Sequence, residues 1–222
     1  MSSHHIVRDM QEPSLLIADG EQCSLALLES LLEWSPVVVA LDEAFPKLVS
    51  LGIKVDYWLG DFDNIDPKRI LSELQQDSVK IIKAENQEKT DFEKGIDFLI
   101  ELGAQAINCV WATGNRLDHT LSNLSTLTNL QHKAKIVFYD DYSKLYFLQN
   151  KFEKWYTKNQ IISLVPMPIA KNVSIAGLKY TLDKEDLEWG NRVGTSNFTE
   201  KDGIVKIAFE KGNLLMIETL KD

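Results

Sequence analysis

Val55-Asp56-Tyr57-Trp58-Leu59-Gly60-Asp61-Phe62-Asp63-Asn64 (55–64) is an apolar run that ends in a turn carrying two carboxylates. The pattern recurs along the first part of the chain. Leu15-Leu16-Ile17-Ala18 runs into Asp19-Gly20, and Val37-Val38-Val39-Ala40-Leu41 runs into Asp42. Residues 79–83 lead to Gln87-Glu88-Lys89-Thr90-Asp91, and 106–111 lead to Gly114-Asn115-Arg116-Leu117-Asp118-His119. Continuous short apolar runs suit strands covered on both faces, as in a parallel sheet. Helical patterns separate them: Ser24 opens one in which Leu25, Leu28, Leu31 and Leu32 share a face, and others cover 45–51, 67–75, 91–102 and 118–130. Such alternation builds βαβ units, whose strands present their carboxyl ends along one edge. The acidic turns are therefore expected on a single rim.

Past Lys135-Ile136-Val137-Phe138-Tyr139 the helical periodicity gives way to short runs near 145–148, 161–165, 173–175, 204–209 and 214–218, bounded by Gly, Asn, Asp and Pro. These are antiparallel-strand signals. With the boundary at Asp140-Asp141, the expectation is an α/β protein: an N-terminal three-layer α/β domain with a mostly parallel sheet (1–140), then a small all-β, sandwich-like domain (141–222).

A chain of 222 residues with 44% hydrophobic and 26% charged residues is globular rather than disordered. No apolar segment reaches the length of a membrane span, and the start Met1-Ser2-Ser3-His4-His5 lacks a signal-peptide core, so a cytoplasmic protein with no membrane partner is expected. Cys23 and Cys109 are far apart and sit among apolar neighbours, which argues against a zinc site or a disulfide framework. A net charge of -9 disfavours a nucleic-acid partner, since that binding rests on surplus Lys and Arg.

Each turn admits two chemistries. Asp61 and Asp63 can turn toward one Mg²⁺, which takes hard oxygen ligands from one or two carboxylates plus phosphate and water. The turn can equally be a solvated one in which Asp63 or Asn64 makes a local bond to the backbone. Thr90 reads as a helix cap, with Asp91 and Glu93 at the positive end of the dipole. Asp91 also follows a strand on the same edge as Asp61 and Asp63. Arg116 offers a planar fork of donors to phosphate oxygens, and Asp118 can hold a metal, a nucleotide hydroxyl or Arg116 itself. His119 reads as an orienting residue. Trp155 and Trp189 are candidate stacking faces for an aromatic ring, with the core or a dimer contact the expected home of each.

Taken together these motifs resemble the thiamine pyrophosphokinase family, which moves the diphosphate of ATP onto the hydroxyl of thiamine and releases AMP. The family's Gly-Asp-x-Asp-Ser motif is matched by Gly60, Asp61, Asp63 and Asn64, its Gln-x-x-Thr-Asp-x-x-Lys stretch by Gln87, Thr90, Asp91 and Lys94, and its Gly-Gly-Arg-x-Asp-His-x-x-x-Asn stretch by Gly114, Arg116, Asp118, His119 and Asn123. In the β-rich part, Gly177-Leu178-Lys179-Tyr180-Thr181-Leu182, Gly190 and Ser196-Asn197 follow the family's later signature.

The resemblance implies catalytic carboxylates at Asp61, Asp63, Asp91 and Asp118, with Mg²⁺ on Asp61, Asp63 and Asp91. It implies ATP contacts at Asp42, Thr90, Arg116, His119 and Asn123, and thiamine contacts at Gln87, Ser196 and Asn197. It also implies a homodimer in which the β domain of one subunit completes the site of the other. The chain departs from the pattern at Glu43, Asn64, Asn115 and Thr181, and none of these removes a metal carboxylate. The alternatives are a pyrophosphokinase acting on another hydroxymethyl heterocycle such as a pterin, and a non-catalytic thiamine or nucleotide sensor.

Overall fold

The structure, a computed structural model, describes residues 12–220 apart from 64, 65, 77, 85 and 87. The expectations for Asn64 and Gln87 lie outside the described residues. The chain divides into two compact units, one formed by the chain up to Thr126 with His132–Ile136, the other by Leu127–Gln131 with the chain from Val137 on.

In the first unit strands and helices alternate: β1 (Ser14–Ile17), α1 (Leu25–Leu32), β2 (Val38–Leu41), α2 (Ala44–Ser50), β3 (Tyr57–Gly60), α3 (Pro67–Glu73), β4 (Lys80–Lys83), α4 (Asp91–Glu101) and β5 (Ala106–Val110), followed by α5 (Leu117–Leu130). The strands run in the order β4-β3-β2-β1-β5, and all the pairs are parallel. Because crossovers are right-handed, α1 to α3 cover one face. The connection through α4 runs back along the sheet and puts that helix on the other, giving three layers. Strands β1 and β2 are buried throughout, as their unbroken apolar sequences require. The caps follow local chemistry: the Ser24 hydroxyl accepts from the Leu27 N–H, the Asp66 carboxylate from Lys68 and Arg69, and Thr90 from Glu93.

The second unit is antiparallel. It takes up β6 (Lys135–Tyr139) from Val137 on, and with β7 (Ser143–Phe147), β8 (Lys151–Tyr156), β9 (Ile161–Ala176), β12 (Gly203–Ala208) and β13 (Lys211–Thr219) the order is β6-β7-β13-β9-β12-β8. Two more, β10 (Leu182–Glu188) and β11 (Gly194–Phe198), pair with β9 alone. The 16-residue β9 is the spine of this unit. Its sequence contains Pro166 and Pro168 and so reads as two strands. The structure joins them, with the pairing to β13 shifted between Gly212 and Leu214, beside the prolines. A bulge is where a strand tolerates a residue without an N–H.

Inward side chains of β9, including Ile162, Leu164, Ala170, Val173 and Ile175, share one buried cluster with Leu187, Val205, Ile207, Leu214 and Met216. Glu218 is buried in the same unit. Burial pushes its carboxyl up, but the Tyr146 hydroxyl at 2.6 Å, the Lys154 ammonium at 2.9 Å and Lys144 together hold it below its ordinary value. Among the described residues no helix is long and apolar enough to cross a membrane.

Leu164 is fully buried at the centre of β9. Leu164→Ala should destabilise the protein by about 2–5 kcal/mol through lost burial and the cavity left behind. A lowered urea midpoint checks this; an unchanged midpoint would mean that β9 is not the spine of the core.

Candidate active site

In strand order β4-β3-β2-β1-β5 the chain leaves β1 toward β2 and returns to β1's other side through β5. Open α/β sheets bind ligands where the order reverses, outside the carboxyl ends of the strands. A cleft of roughly 710 Å³ lies there, lined by Asp19 and Gly20 after β1, Leu41 and Asp42 at the end of β2, Thr90 and Asp91 at the start of α4, and, after β5, residues that include Trp111, Arg116 and Asn123. Its size suits a nucleotide-sized ligand.

The loops are pinned by the sheet. Ala18, Gly20 and Glu21 donate backbone N–H groups to the carbonyls of Val110, Trp111 and Thr113, and the Asn123 amide donates to the Ala112 carbonyl at 2.8 Å. Position 20 must be glycine, because a side-chain carbon there would strike the Trp111 and Thr113 carbonyl oxygens. Asp42 has a left-handed backbone, φ 39°, held by its N–H on the Leu59 carbonyl and by the Trp58 indole N–H on its own carbonyl, each near 3 Å. A side chain at Gly60 would collide with the Asp42 carboxylate, so the glycine lets that carboxylate lie over the end of β3.

The electrostatics single out Asp42. Its carboxyl is pushed up to about 7, first by burial, then by the negative charges of Asp91 and Asp61, a hydrogen bond shared with Asp91, and the charge of Asp19. Neighbouring acids have cations: Asp19 is paired with Lys47 at 2.5 Å, and Asp91 with Lys94 at 3.0 Å. Arg116 and Asp118 form an exposed pair at 2.6 Å, which holds the Asp118 carboxyl below its ordinary value. The Arg116 fork thus rests on Asp118.

The cleft brings together Asp42, Thr90, Asp91, Arg116, Asp118, His119 and Asn123. Asp61 and Asp63 stand at the adjacent end of β3 outside its lining, with Asp61 close enough to raise Asp42. Asp61 accepts from the Asp63 N–H at 3.1 Å, so the turn is locally closed by Asp61.

The remaining two predicted residues belong to the β-rich unit. Ser196 is exposed with φ 55°, and its N–H donates to the Ser163 hydroxyl. Asn197 is buried, and its amide is engaged with the Tyr180 backbone, accepting from the N–H at 3.0 Å and donating to the carbonyl at 2.7 Å. Trp155 and Trp189 are more than half exposed in this chain, which removes the core as their home.

Sequence reasoning gave no role to Lys47 or Trp111. Lys47 meets its acid across 28 residues, so no local spacing announces the pair. Lys94 lies three residues from Asp91, a spacing that does signal a helical ion pair.

The thiamin pyrophosphokinase catalytic-domain family model matches residues 28–138, and the vitamin B1 binding-domain model of the same family matches 149–214. The chain belongs to the thiamin pyrophosphokinase family. Thiamine pyrophosphokinase from Bacillus subtilis is 24% identical over 210 residues, 92% of this chain and 97% of its own length. Thiamine pyrophosphokinase 1 of Oryza sativa subsp. japonica is 26% identical over 173 residues, covering 72% of this chain and 64% of that protein. The crystal structure of thiamin pyrophosphokinase from Geobacillus thermodenitrificans superposes with a TM-score of 0.80 at 23% identity, over 94% of this chain and 97% of that one. These matches carry the fold of the family, an α/β catalytic part with a β-rich part, across nearly the whole chain.

The acidic cleft of this chain has a pH signature. The folded Asp42 carboxyl titrates near 7 and the unfolded one near 3.8. Between those values the folded state holds the extra proton, so this group's contribution falls as pH rises. Asp42→Asn should leave the ligand-free protein relatively more stable than the parent at pH 8 and little changed at pH 4. Thermal unfolding across that range measures the difference, and identical slopes would remove Asp42 from the cluster.

Proposed function

We propose that the cleft is the site of diphosphate transfer from ATP to the hydroxyl of thiamine, giving thiamine diphosphate and AMP. The observation that carries this reading is the crowding of Asp42, Asp61 and Asp91 at adjoining strand ends, beside Arg116 and the start of α4, in a chain of this family.

The donor set fits Mg²⁺. It is made of hard carboxylate oxygens whose mutual repulsion a divalent cation would relieve. Asp61, Asp63 and Asp91 would hold it, and when bound it would neutralise charge on the polyphosphate.

The protein's own groups do the rest by position and charge. Arg116, released from Asp118, pairs with phosphate oxygens, with Asp42, Thr90, His119 and Asn123 lining the nucleotide's place. Asp118 orients Arg116 until the nucleotide takes it over. The thiamine hydroxyl attacks the β-phosphorus and AMP leaves. Asp42, a carboxylate of the cleft that the metal does not claim, is the group we assign to accept the hydroxyl proton.

On the thiamine side we assign Gln87 and Ser196, with Asn197 acting through the Tyr180 backbone. We further assign a homodimer in which the β-rich unit of one subunit completes the site of the other. Exposed Trp155, Trp189, Tyr180 and Ile204 support an interface on that unit. The reaction's need for ATP favours the cytoplasm as its compartment.

Purified protein given ATP and Mg²⁺ should release AMP only when thiamine is present, with an equal amount of thiamine diphosphate. AMP release with a pterin alcohol in place of thiamine would point to the other heterocycle, and nucleotide binding with no release to a sensor. Asp61→Ala and Asp91→Ala should each lower kcat by about 10²–10³-fold with unchanged circular dichroism. Near-normal turnover in either variant would overturn the carboxylate roles.

A further inference from the structure

Trp111 combines two costly features at the cleft wall. Its backbone is left-handed, φ 54°, a genuine outlier for a bulky side chain. Its indole Nε1 is buried without a hydrogen-bond partner, one of two such side-chain atoms among the described residues. The other fully buried tryptophan of this unit, Trp58, has its N–H satisfied by the Asp42 carbonyl at 2.9 Å. An unpaired buried donor forfeits its hydration with nothing in return.

The strain at Trp111 is imposed by its surroundings. Four successive carbonyls, from Val110 to Thr113, each accept a hydrogen bond, three from the backbone after β1 and one from Asn123. Backbone held so firmly in a disfavoured region is characteristic of ligand-holding segments, where the surrounding structure over-determines it. The residue so held lines the cleft. With the backbone pinned, the freedom left at position 111 is rotation of its side chain.

We propose that the Trp111 indole N–H is a binding donor of this cleft, which turns on its pinned backbone to meet a lone-pair acceptor of the bound nucleotide. This rests on the cleft being the nucleotide site. The acceptor is a phosphate oxygen or an oxygen or nitrogen of the nucleoside.

The test is ¹⁵N NMR of the full chain, with the Trp111 indole resonance assigned through its own backbone so that no variant is needed. The probe is α,β-methylene-ATP with Mg²⁺, which cannot transfer its diphosphate, and calorimetry reports binding independently. Binding should move the Trp111 indole proton downfield, as hydrogen bonding does. Trp111→Phe should weaken binding of the same probe about tenfold, the size of one net hydrogen bond. Parallel titrations with tripolyphosphate and with AMP locate the acceptor: whichever ligand reproduces the shift carries it.

Calorimetric binding with an unmoved Trp111 resonance would overturn the proposal and leave the nucleotide site standing. No nucleotide binding at all would overturn both.

Discussion

Strand β1 is hydrogen-bonded in parallel to β2 on one side and β5 on the other, with Ile17 opposite both Ala40 and Val110. That register sets where three chain segments leave the sheet. One residue past it, Ala18 still donates to the Val110 carbonyl, and two further on Gly20 donates to Trp111. The loops after β1 and β5 are thus an extension of the ladder rather than free connections. A side chain at Gly20 would push them apart and open the cleft floor. The cleft exists because the strand order reverses at β1, and it is rigid because the ladder continues past the strand ends.

On this frame the protein assembles like charges at a cost. Lys47 and Lys94 each offset one carboxylate of the cluster, while Asp42 absorbs the remaining repulsion by holding its proton toward neutral pH. An arrangement of this kind destabilises the empty site and favours whatever brings positive charge into it. The Arg116 and Asp118 pair works in the opposite sense, storing a cation at the rim on an acid exposed to solvent. Exposed pairs of this sort are worth little and are easily exchanged for a phosphate. The β-rich unit treats its buried acid differently: Glu218 is fully supplied with donors and kept ionised, which suits a structural anchor.

The strands of the first unit are legible because each is a short unbroken apolar run closed by a polar turn, and the structure keeps each of them to within two residues. The second unit is less legible. Strand β10, Leu182–Glu188, is charged at most positions because it pairs only with β9 and faces solvent, so no apolar periodicity marks it. Strand β8, at the edge beside β12, turns Lys154 toward buried Glu218 and leaves Trp155 exposed, so its sequence hides the alternation, and β9 hides behind its prolines. In the site, Asp42, Thr90, Asp91, Arg116 and Asp118 could be named because their turns follow strands. The long-range contacts could not, since Lys47 reaches Asp19 and Asp42 meets Gly60 only through the lateral order of the strands.

What the sequence by itself determined is the alternation of strand and helix, the acidic turns at strand ends, the cap at Thr90 and the membership that those motifs together announce. These are local properties, written within a few residues of one another, where backbone preference and burial act directly. Only the tertiary structure decided that burial and neighbouring acids push the Asp42 carboxyl up and that Trp111 is pinned with its indole N–H unpaired. Each depends on distances between segments far apart in the chain, set by which strand lies beside which, and no spacing along the sequence encodes them.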